Sequence, residues 1–335
     1  MENNHSHIKL TSGEVSALWG SYLNDTLSIC TISYFLKDVE DPDIRAVLEF
    51  ALELEKKHIQ IISDIFNKEK LPIPVGFTEH DVNLNAPRLY PDLFLLYYIQ
   101  SMGAMGLNGY SVALPNSARK DVREYFTSCL ASSSELYNRT SDVLQEKGVF
   151  IRSPYIPYPT QAEFVEKNQF LAGWIGKQRP LTTIEISFLF FNLYRNTMGA
   201  GLLTGFSQVA SSEEVRLYLV RGAEISKHHV AVFGNFFVED NLLVPMTSEM
   251  MPLTSKVAPF SDKLMMYHTA ALNAIGIGYY GTSIGTSARK DLSVAYNRLM
   301  IEIGEFIEDG ANIMIDNGWH EKPPSAPDRR DLAKS

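Results

Sequence analysis

The strongest constraint on the fold is an internal repeat that covers most of the chain. Leu10-Thr11-Ser12-Gly13-Glu14 aligns with residues 181–185 at an offset of 171 (181 minus 10), and the same offset places His58 on His229. After one deletion the offset becomes 170, and Ser117-Ala118-Arg119-Lys120-Asp121 then falls on the identical residues 287–291. Self-similarity at a fixed offset indicates a duplicated structural unit. We therefore predict two halves with the same fold.

The spacing of apolar residues predicts four helices in each half, because they recur at intervals of three and four positions rather than two. The first helix begins with a capping box, in which Thr11 pairs with Glu14, and the second half has the same pair at 182 and 185. Gly148 and Gly318 follow the fourth helices, where a left-handed residue often ends a helix. The sequence therefore predicts an all-α chain.

A long connection between the second and third helices determines the expected topology. It covers roughly 18 to 20 residues rich in Pro and Asn, at Leu71 to Pro91 and at Leu242 to Ser261. At about 3.3 Å per extended residue such a segment can run the full length of a bundle. One long crossover between two helical hairpins is the ferritin-like connection. We predict two tandem ferritin-like four-helix bundles at residues 1–150 and 181–320, a proline-rich linker with a short helix at 151–180, and a flexible tail at 321–335.

Composition and charge exclude several classes of partner. The net charge of -9 and the pI of about 5.4 argue against a nucleic-acid partner, since such sites need a local excess of Lys and Arg. The N-terminus lacks the pattern of a secretory signal, and Cys30 and Cys129 have no partner at zinc-like or redox-like spacing. We expect a cytoplasmic protein.

Two uncharged stretches, Leu93 to Ala118 and Leu264 to Ala288, have the length of a membrane span. Both contain several Gly and scattered polar residues, and their neighbouring helices are charged and amphipathic. These features favour the buried helix of a soluble bundle over a membrane span. The kind of partner that we expect is a second copy of the chain or another assembly component.

With its duplication, its crossovers and its two Ser-Ala-Arg-Lys-Asp segments, the chain resembles a tandem ferritin-like family of unknown function from spore-forming Gram-positive bacteria. The resemblance covers nearly the whole chain and implies the fold. It implies no reaction, because that family has no established activity. A spore-associated setting is what the resemblance suggests beyond the fold.

A ferritin-like bundle raises the question of a metal site. Its di-iron members place one carboxylate on each of two helices and a Glu-x-x-His pair on each of the other two. Glu55 and His58 supply one such pair, three residues apart on one helix face. The other positions depart from the pattern: Glu135 and Asn138 or Glu305 and Glu308 on the fourth helices, Ser226 for Glu55 in the second half, and Asn24, Asp25, Tyr98 and Gln100 or Asn196 and His268 on the first and third helices.

Two interpretations of these residues stay open. In the first, His58 with Glu55 and Glu135, or His229 with Glu305, Glu308 and His268, holds a single ion of iron, manganese or zinc. In the second, each half keeps a buried His hydrogen-bonded to a Glu, without metal. The sequence therefore yields seven candidate ligands: Glu55, His58, Glu135, His229, His268, Glu305 and Glu308.

Three functions follow from these alternatives. The incomplete ligand set favours a non-enzymatic protein that acts through its surface or as an assembly component. The His and Glu residues of both halves support a metal-binding protein or metal-dependent oxidase instead. The glycines in Gly103 to Gly109 and Gly276 to Gly281 indicate either close helix packing or room for a small apolar ligand beside the third helix.

Overall fold

The structure, a computed structural model, describes residues 8–166, 168–171, 179–244 and 250–333. These residues are all-helical and include no strand, apart from one isolated bridge between Val82 and Phe260. The helices are α1 (Ser12–Asp38), α2 (Pro42–Glu69), α3 (Asp92–Ala113), α4 (Lys120–Glu146), α5 (Thr183–Val209), α6 (Glu213–Glu239), α7 (Asp262–Thr286), α8 (Lys290–Asp316) and the short α9 (Arg329–Leu332). Within the described residues, short 3₁₀ helices include Glu79–Asp81, Leu114–Asn116 and Asn168–Leu171.

The helix ends confirm the boundaries that the sequence predicts. Thr11 caps α1, with the Glu14 amide donating to its hydroxyl at 3.2 Å and the Thr11 amide donating to Glu14 at 2.7 Å. Thr182 and Glu185 make the same box at α5. After α4 and α8, Gly148 and the equivalent glycine at 318 have φ values of 70° and 69°, in the left-handed region.

Each half consists of two helical hairpins joined by the long connection. In the first half α1 packs along α2 and α3 along α4, while α2 also packs on α4. In the second half α5 pairs with α6 and α7 with α8, and α5 also contacts α7. No helix in the described parts of the chain is both long and apolar enough to cross a membrane.

The repeated Ser-Ala-Arg-Lys-Asp segment links the ends of three helices. Arg119 precedes α4, its side chain is 6% exposed, and it forms ion pairs with Glu69 of α2 and with Asp121. Glu14 of α1 accepts hydrogen bonds from the Arg119 amide at 2.7 Å and from the preceding amide at 2.9 Å. The second half repeats the arrangement with Arg289, Asp291, Asp240 and Glu185. The identity of the two segments therefore has a structural cause.

A single apolar core extends across both halves. Its buried residues come from α1 to α8 and from the segments before α3 and α7, and they include Phe35, Tyr90, Tyr98, Phe206 and Phe260. Each half has in addition one smaller apolar cluster of its own. The two halves are therefore packed against each other through their interiors.

Contacts between the halves are reciprocal. Phe260 packs on Tyr34 of α1 with ring centroids 5.2 Å apart, and Tyr90, which occupies the position equivalent to Phe260, lies against Gly205, the equivalent of Tyr34. Tyr98 and His268, which are equivalent to each other at the offset of 170, share a hydrogen bond of 3.2 Å. Reciprocal contacts of this kind are those of a two-fold interface.

The segments outside the eight long helices are held unequally. Residues 151–166 form no helix or strand, and Tyr155 and Tyr158 are exposed. Within the linker at 151–180, for which we predict a short helix, the described residues include the 3₁₀ helix Asn168–Leu171, and residues 167 and 172–178 lie outside the described part. At the start of the predicted tail, Glu321 accepts hydrogen bonds from the amides of residues 75 and 76 at 2.9 and 2.7 Å.

Candidate metal centre

Three buried side chains of ligand type meet inside the first half. Asp25 comes from the middle of α1, and Glu55 and His58 come from successive turns of α2. Asp25 Oδ2 and Glu55 Oε2 each lie 3.9 Å from Nδ1 of His58, and the three ligand atoms lie within 4.8 Å of one another. The three residues are 3%, 8% and 6% exposed, so water screens this cluster little. We call Asp25, Glu55 and His58 the acidic cluster.

Two atoms of the acidic cluster lack a partner. Neither Oδ2 of Asp25 nor Nδ1 of His58 has a hydrogen bond to any part of the chain that the structure describes. A buried polar atom without a partner costs about 1–3 kcal/mol, and a bound water or ion can remove that cost. The rings of Tyr110 and Tyr125 stand edge to face around His58, at centroid distances of 6.1 and 5.9 Å. The cluster is thus enclosed by aromatic side chains on that side.

Burial controls the protonation of the acidic cluster. It raises the pKa of Asp25 well above its usual range, and the nearby carboxylate of Glu55 raises this pKa further. It also raises the pKa of Glu55 to about 7, although the hydrogen bond with Asp25 acts in the opposite direction. The pKa of the His58 imidazole falls to about 4, mainly because burial disfavours its charged form. At neutral pH the pair of carboxyl groups therefore keeps a proton, and the imidazole is neutral.

A cavity of about 480 Å³ opens beside the acidic cluster. Its size falls in the range of about 300–1,000 Å³ that is typical of small-molecule sites. Helices α1, α3 and α7 form most of its wall, and Asp25, Glu55 and His58 all border it. The other lining residues are largely small or apolar and include Gly20, Leu27, Met102, Gly106, Gly109 and Leu272. The cluster therefore has an open, mainly apolar side.

The second half holds its histidine in a different way. His229 is fully buried, with Nδ1 2.8 Å from the hydroxyl of Tyr280 and Nε2 2.9 Å from Oε2 of Glu302. Both ring nitrogens thus have partners. At the positions equivalent to Asp25 and Glu55, the second half has Asn196 and Ser226. The second half therefore shows the hydrogen-bonded His–Glu pair, with neither carboxylate of the acidic cluster.

The structure does not bring the other candidate ligands together. Glu135, Glu305 and Glu308 are exposed on the outer faces of α4 and α8, and Glu135 forms an ion pair with Arg139. His268 is buried, but it bonds to Tyr98 and borders the cavity of the first half instead of joining His229. Of the seven predicted ligands, only Glu55 and His58 lie in one cluster.

The cavity occurs in the first half because the two halves differ at a few small positions. Gly20 of α1 and Gly109 of α3 correspond to Phe191 and Tyr279, whose rings meet edge to face at a centroid distance of 4.8 Å. A Cβ atom on Gly20 or Gly109 would meet nothing within 4 Å. Aromatic rings therefore occupy in the second half the region that stays open in the first.

From the sequence, Asp25 is identified only as a departure from the di-iron pattern, and Glu302 is not identified. Asp25 is a full helix away from Glu55 in the chain, and the di-iron pattern gives glutamate rather than aspartate at such a position. The sequence does contain a pattern that predicts the outward direction of Glu135. Buried residues recur at intervals of three and four along the inner face of α4, at Phe126, Cys129, Ser133 and Leu136. Glu135 lies off that face.

Comparison with known proteins adds a family and one distant structural match. No curated protein matches the chain. A crystal structure of a candidate spore coat protein from Bacillus halodurans C-125 aligns with 48% of this chain and 100% of its own, at 18% identity and a TM-score of 0.40. The family model described as protein of unknown function (DUF3231) matches twice, at residues 1–161 and 169–332. Those two matches cover both halves, and the chain belongs to this family.

Proposed function

We propose that the first half of the chain binds one divalent transition-metal ion through Asp25, Glu55 and His58. The observation that carries the proposal is the enclosure of these three side chains beside a cavity, with Oδ2 of Asp25 and Nδ1 of His58 lacking partners within the described residues. We further propose that each half is a ferritin-like four-helix bundle, with the units at 1–150 and 181–320. The hairpins and the long connection in each half support that assignment.

The distances within the acidic cluster suit a metal after a small contraction. Metal bonds of about 2.0–2.2 Å to His and carboxylate ligands place tetrahedral ligand atoms roughly 3.4 Å apart. The two separations of 3.9 Å from His58 Nδ1 exceed this by about half an ångström, which small rotations of the carboxyl groups can provide.

The donor set selects the class of ion. One neutral imidazole with two carboxylates suits iron, manganese or zinc, whereas magnesium and calcium prefer oxygen ligands alone. Three protein ligands leave at least one coordination position free, and the free side faces the cavity. A site of this type can hold a small ligand on the metal, so the metal-binding and small-ligand hypotheses meet at the same place.

Charge balance also favours a dication. With both carboxyl groups ionised, the acidic cluster carries two negative charges in a buried position, which is why burial raises the pKa values of Asp25 and Glu55. A divalent ion neutralises these charges and displaces the proton that the pair holds without it. The second half offers Asn196 and Ser226 instead, so the expected stoichiometry is one ion per chain.

Metal content measured on reconstituted protein tests this proposal. The protein is stripped of metal with a chelator and then dialysed separately against Mn²⁺, Zn²⁺ or, in the absence of oxygen, Fe²⁺. Its metal content is then measured by elemental mass spectrometry. We expect one equivalent in the parent chain and none in the Asp25→Asn/Glu55→Ser double variant, which gives the first half the residues of the second. Glu135→Gln, on the exposed face of α4, is the matched control and keeps the metal.

Two results contradict the proposal. One is a metal content well below one equivalent for all three ions in the parent chain. The other is an unchanged metal content in His58→Ala, because the ion would then be held elsewhere. Oxidase chemistry, a role in an assembly and a spore-associated setting remain predictions.

A further inference from the structure

A second pocket, of about 230 Å³, lies at the junction of the two halves. It is built from α3, α4, the segment that follows α4, α5 and α7. Aromatic residues form much of its wall and include Tyr137, Phe190, Tyr194 and Tyr279, and Arg152 and Arg195 also line it. None of the three residues of the acidic cluster borders it. We call it the arginine pocket.

Arg195 lies against the aromatic rings of α5 and α7. Its Cζ lies 4.3 Å from the ring centroid of Tyr279 and 6.0 Å from that of Phe191. A guanidinium has five N–H groups, which point outward in its plane and are separate from the faces that stack. None of these donors forms a hydrogen bond or an ion pair in the described part of the chain. The planar edge of Arg195 is therefore available to a ligand.

Three other enclosed arginines have carboxylate partners. Arg119 is paired with Glu69 and Asp121, Arg289 with Asp240 and Asp291, and Arg179 with Glu185. Burial lowers the pKa of Arg195, and the groups that oppose this effect are the phenols of Tyr279 and Tyr280 and not a carboxylate. Arg195 is partly buried, and a cation withdrawn from water without an anion is costly, so proteins normally pair such groups. Arg45, which is partly buried like Arg195, also lacks a carboxylate, but it donates hydrogen bonds to the carbonyls of Leu36 and Val39.

Arg152 adds a second positive charge to the pocket. It lies on the segment after α4, is exposed, and has no carboxylate partner in the ranges that the structure describes. Two guanidinium groups beside aromatic walls match a ligand with a negatively charged end and a flat apolar body. Arginine is suited to this role, because it binds carboxylates with two parallel hydrogen bonds and stacks on rings.

We propose that the arginine pocket binds a small aromatic carboxylate, with its carboxylate on the N–H edge of Arg195 and its ring among the aromatic side chains of α5 and α7. Arg152 attracts the anion from the open side. The first half has Asn24 in place of Arg195, and Gly20 and Gly109 in place of Phe191 and Tyr279. The site is thus expected once per chain, and it is independent of any metal.

Binding of three small probes to metal-free protein tests the inference. Benzoate has the charge and the ring, benzamide has the ring without the charge, and acetate has the charge without the ring. Titration calorimetry or ligand-observed NMR is expected to give a millimolar or tighter Kd for benzoate. The Kd values for benzamide and acetate are expected to be at least about tenfold weaker.

Two arginine variants locate the site. Arg195→Gln is expected to weaken benzoate binding at least about tenfold, since it removes hydrogen bonds to a charged group. Arg195→Lys keeps the charge but loses the planar edge, so its Kd for benzoate is expected to lie between those of the parent chain and Arg195→Gln. Arg221→Gln is the matched control, because Arg221 also lies over an aromatic ring, at 5.2 Å from the Phe306 centroid, but has Asp309 as a partner. Circular dichroism confirms that each variant is folded.

The inference is overturned if benzoate shows no saturable binding to the folded parent chain, or if folded Arg195→Gln binds it as tightly as the parent. It is equally overturned if benzamide binds as well as benzoate, since the charge would then have no role. Loss of benzoate binding in Asp25→Asn/Glu55→Ser, with Arg195→Gln unaffected, would place the probe in the other cavity. Because metal-free protein is used, these outcomes do not depend on the proposed metal site.

Discussion

Replacing Glu55 with glutamine is expected to stabilise the metal-free chain while abolishing metal binding. Burial raises the pKa of the Glu55 carboxyl from 4.5 to about 7, so the folded chain holds this proton more tightly than the unfolded chain does. Protonation therefore favours the folded state, and stability is lost as the pH rises from about 4.5 towards 7. The glutamine side chain is neutral at every pH and avoids this loss.

The size of the effect follows from the difference between the two pKa values. Each unit of difference corresponds to about 1.4 kcal/mol. At pH 7 the parent chain has lost about 3 kcal/mol relative to its protonated form, and at pH 5 it has lost about 1 kcal/mol. The free energy of unfolding of Glu55→Gln should thus exceed that of the parent by an amount that grows by about 2 kcal/mol from pH 5 to pH 7.

Urea unfolding with a chelator present, followed by circular dichroism at pH 5, 6 and 7, measures this difference. Glu135→Gln removes an exposed carboxylate of α4 that is paired with Arg139, and it should change the free energy of unfolding by less than about 1 kcal/mol at each pH. An equal or lower stability of Glu55→Gln at pH 7 would refute the reasoning. A stability difference that does not change with pH would refute it as well.

Three further predictions concern other parts of the chain. Gly109→Ala should raise the free energy of unfolding by about 1 kcal/mol, because alanine favours the helix and its Cβ would meet no other atom within 4 Å. Gly201→Ala should lower the free energy of unfolding by about 1–3 kcal/mol, because its Cβ would collide with the backbone carbonyl of Met250. Urea unfolding of the two variants compares these effects. Arg119→Met should destabilise by about 2–4 kcal/mol because it leaves Glu69 and Asp121 unpaired, while the exposed Arg123→Met should not, by the same assay. Binding of Zn²⁺ or Mn²⁺ at pH 7 should release at least about one proton and become tighter as the pH rises, because the raised pKa values of Asp25 and Glu55 make protons compete with the metal. Calorimetry in buffers of different ionisation enthalpy measures the proton release. Binding that does not depend on pH would contradict this prediction.

The helical architecture could be predicted from the sequence because its signals are local. Thr11 with Glu14, the left-handed glycine at 148 and the spacing of apolar residues each act within one or two turns, so they fix helix ends without reference to the rest of the chain. Because the chain is a repeat, the capping box and the C-terminal glycine each occur twice, which supports the predicted helix ends. The two long connections were also visible, since their length is counted directly.

The candidate site was less accessible to prediction. Glu55 and His58 could be placed together because three residues along a helix return to the same face. Asp25 joins them only through the packing of α1 on α2, which depends on how the helices are rotated about their axes. The same reason applies to His268, which meets Tyr98 across the junction of the halves instead of facing His229. Such rotation is determined by the whole core and has no short sequence signal.

The arginine pocket illustrates a further limit. Arg195 occurs in an apolar stretch of α5, where its position alone does not distinguish a surface cation from an enclosed one. Its significance comes from what surrounds it, namely the rings of α5 and α7 and the lack of a carboxylate among the described neighbours. A missing partner is a property of the folded arrangement.

The contact between Tyr98 and His268 shows what joining two copies in one chain makes possible. In a dimer of identical subunits, residues that meet on the symmetry axis must be the same on both sides, and any substitution appears twice. Covalent fusion removes that restriction. A phenol can then face an imidazole on the axis, and one copy can lose its carboxylates and fill its groove while the other keeps both. The single gene therefore encodes two non-identical halves at a fixed ratio. Two separate genes would also allow each half to pair with a copy of itself, and the fused chain avoids those dimers.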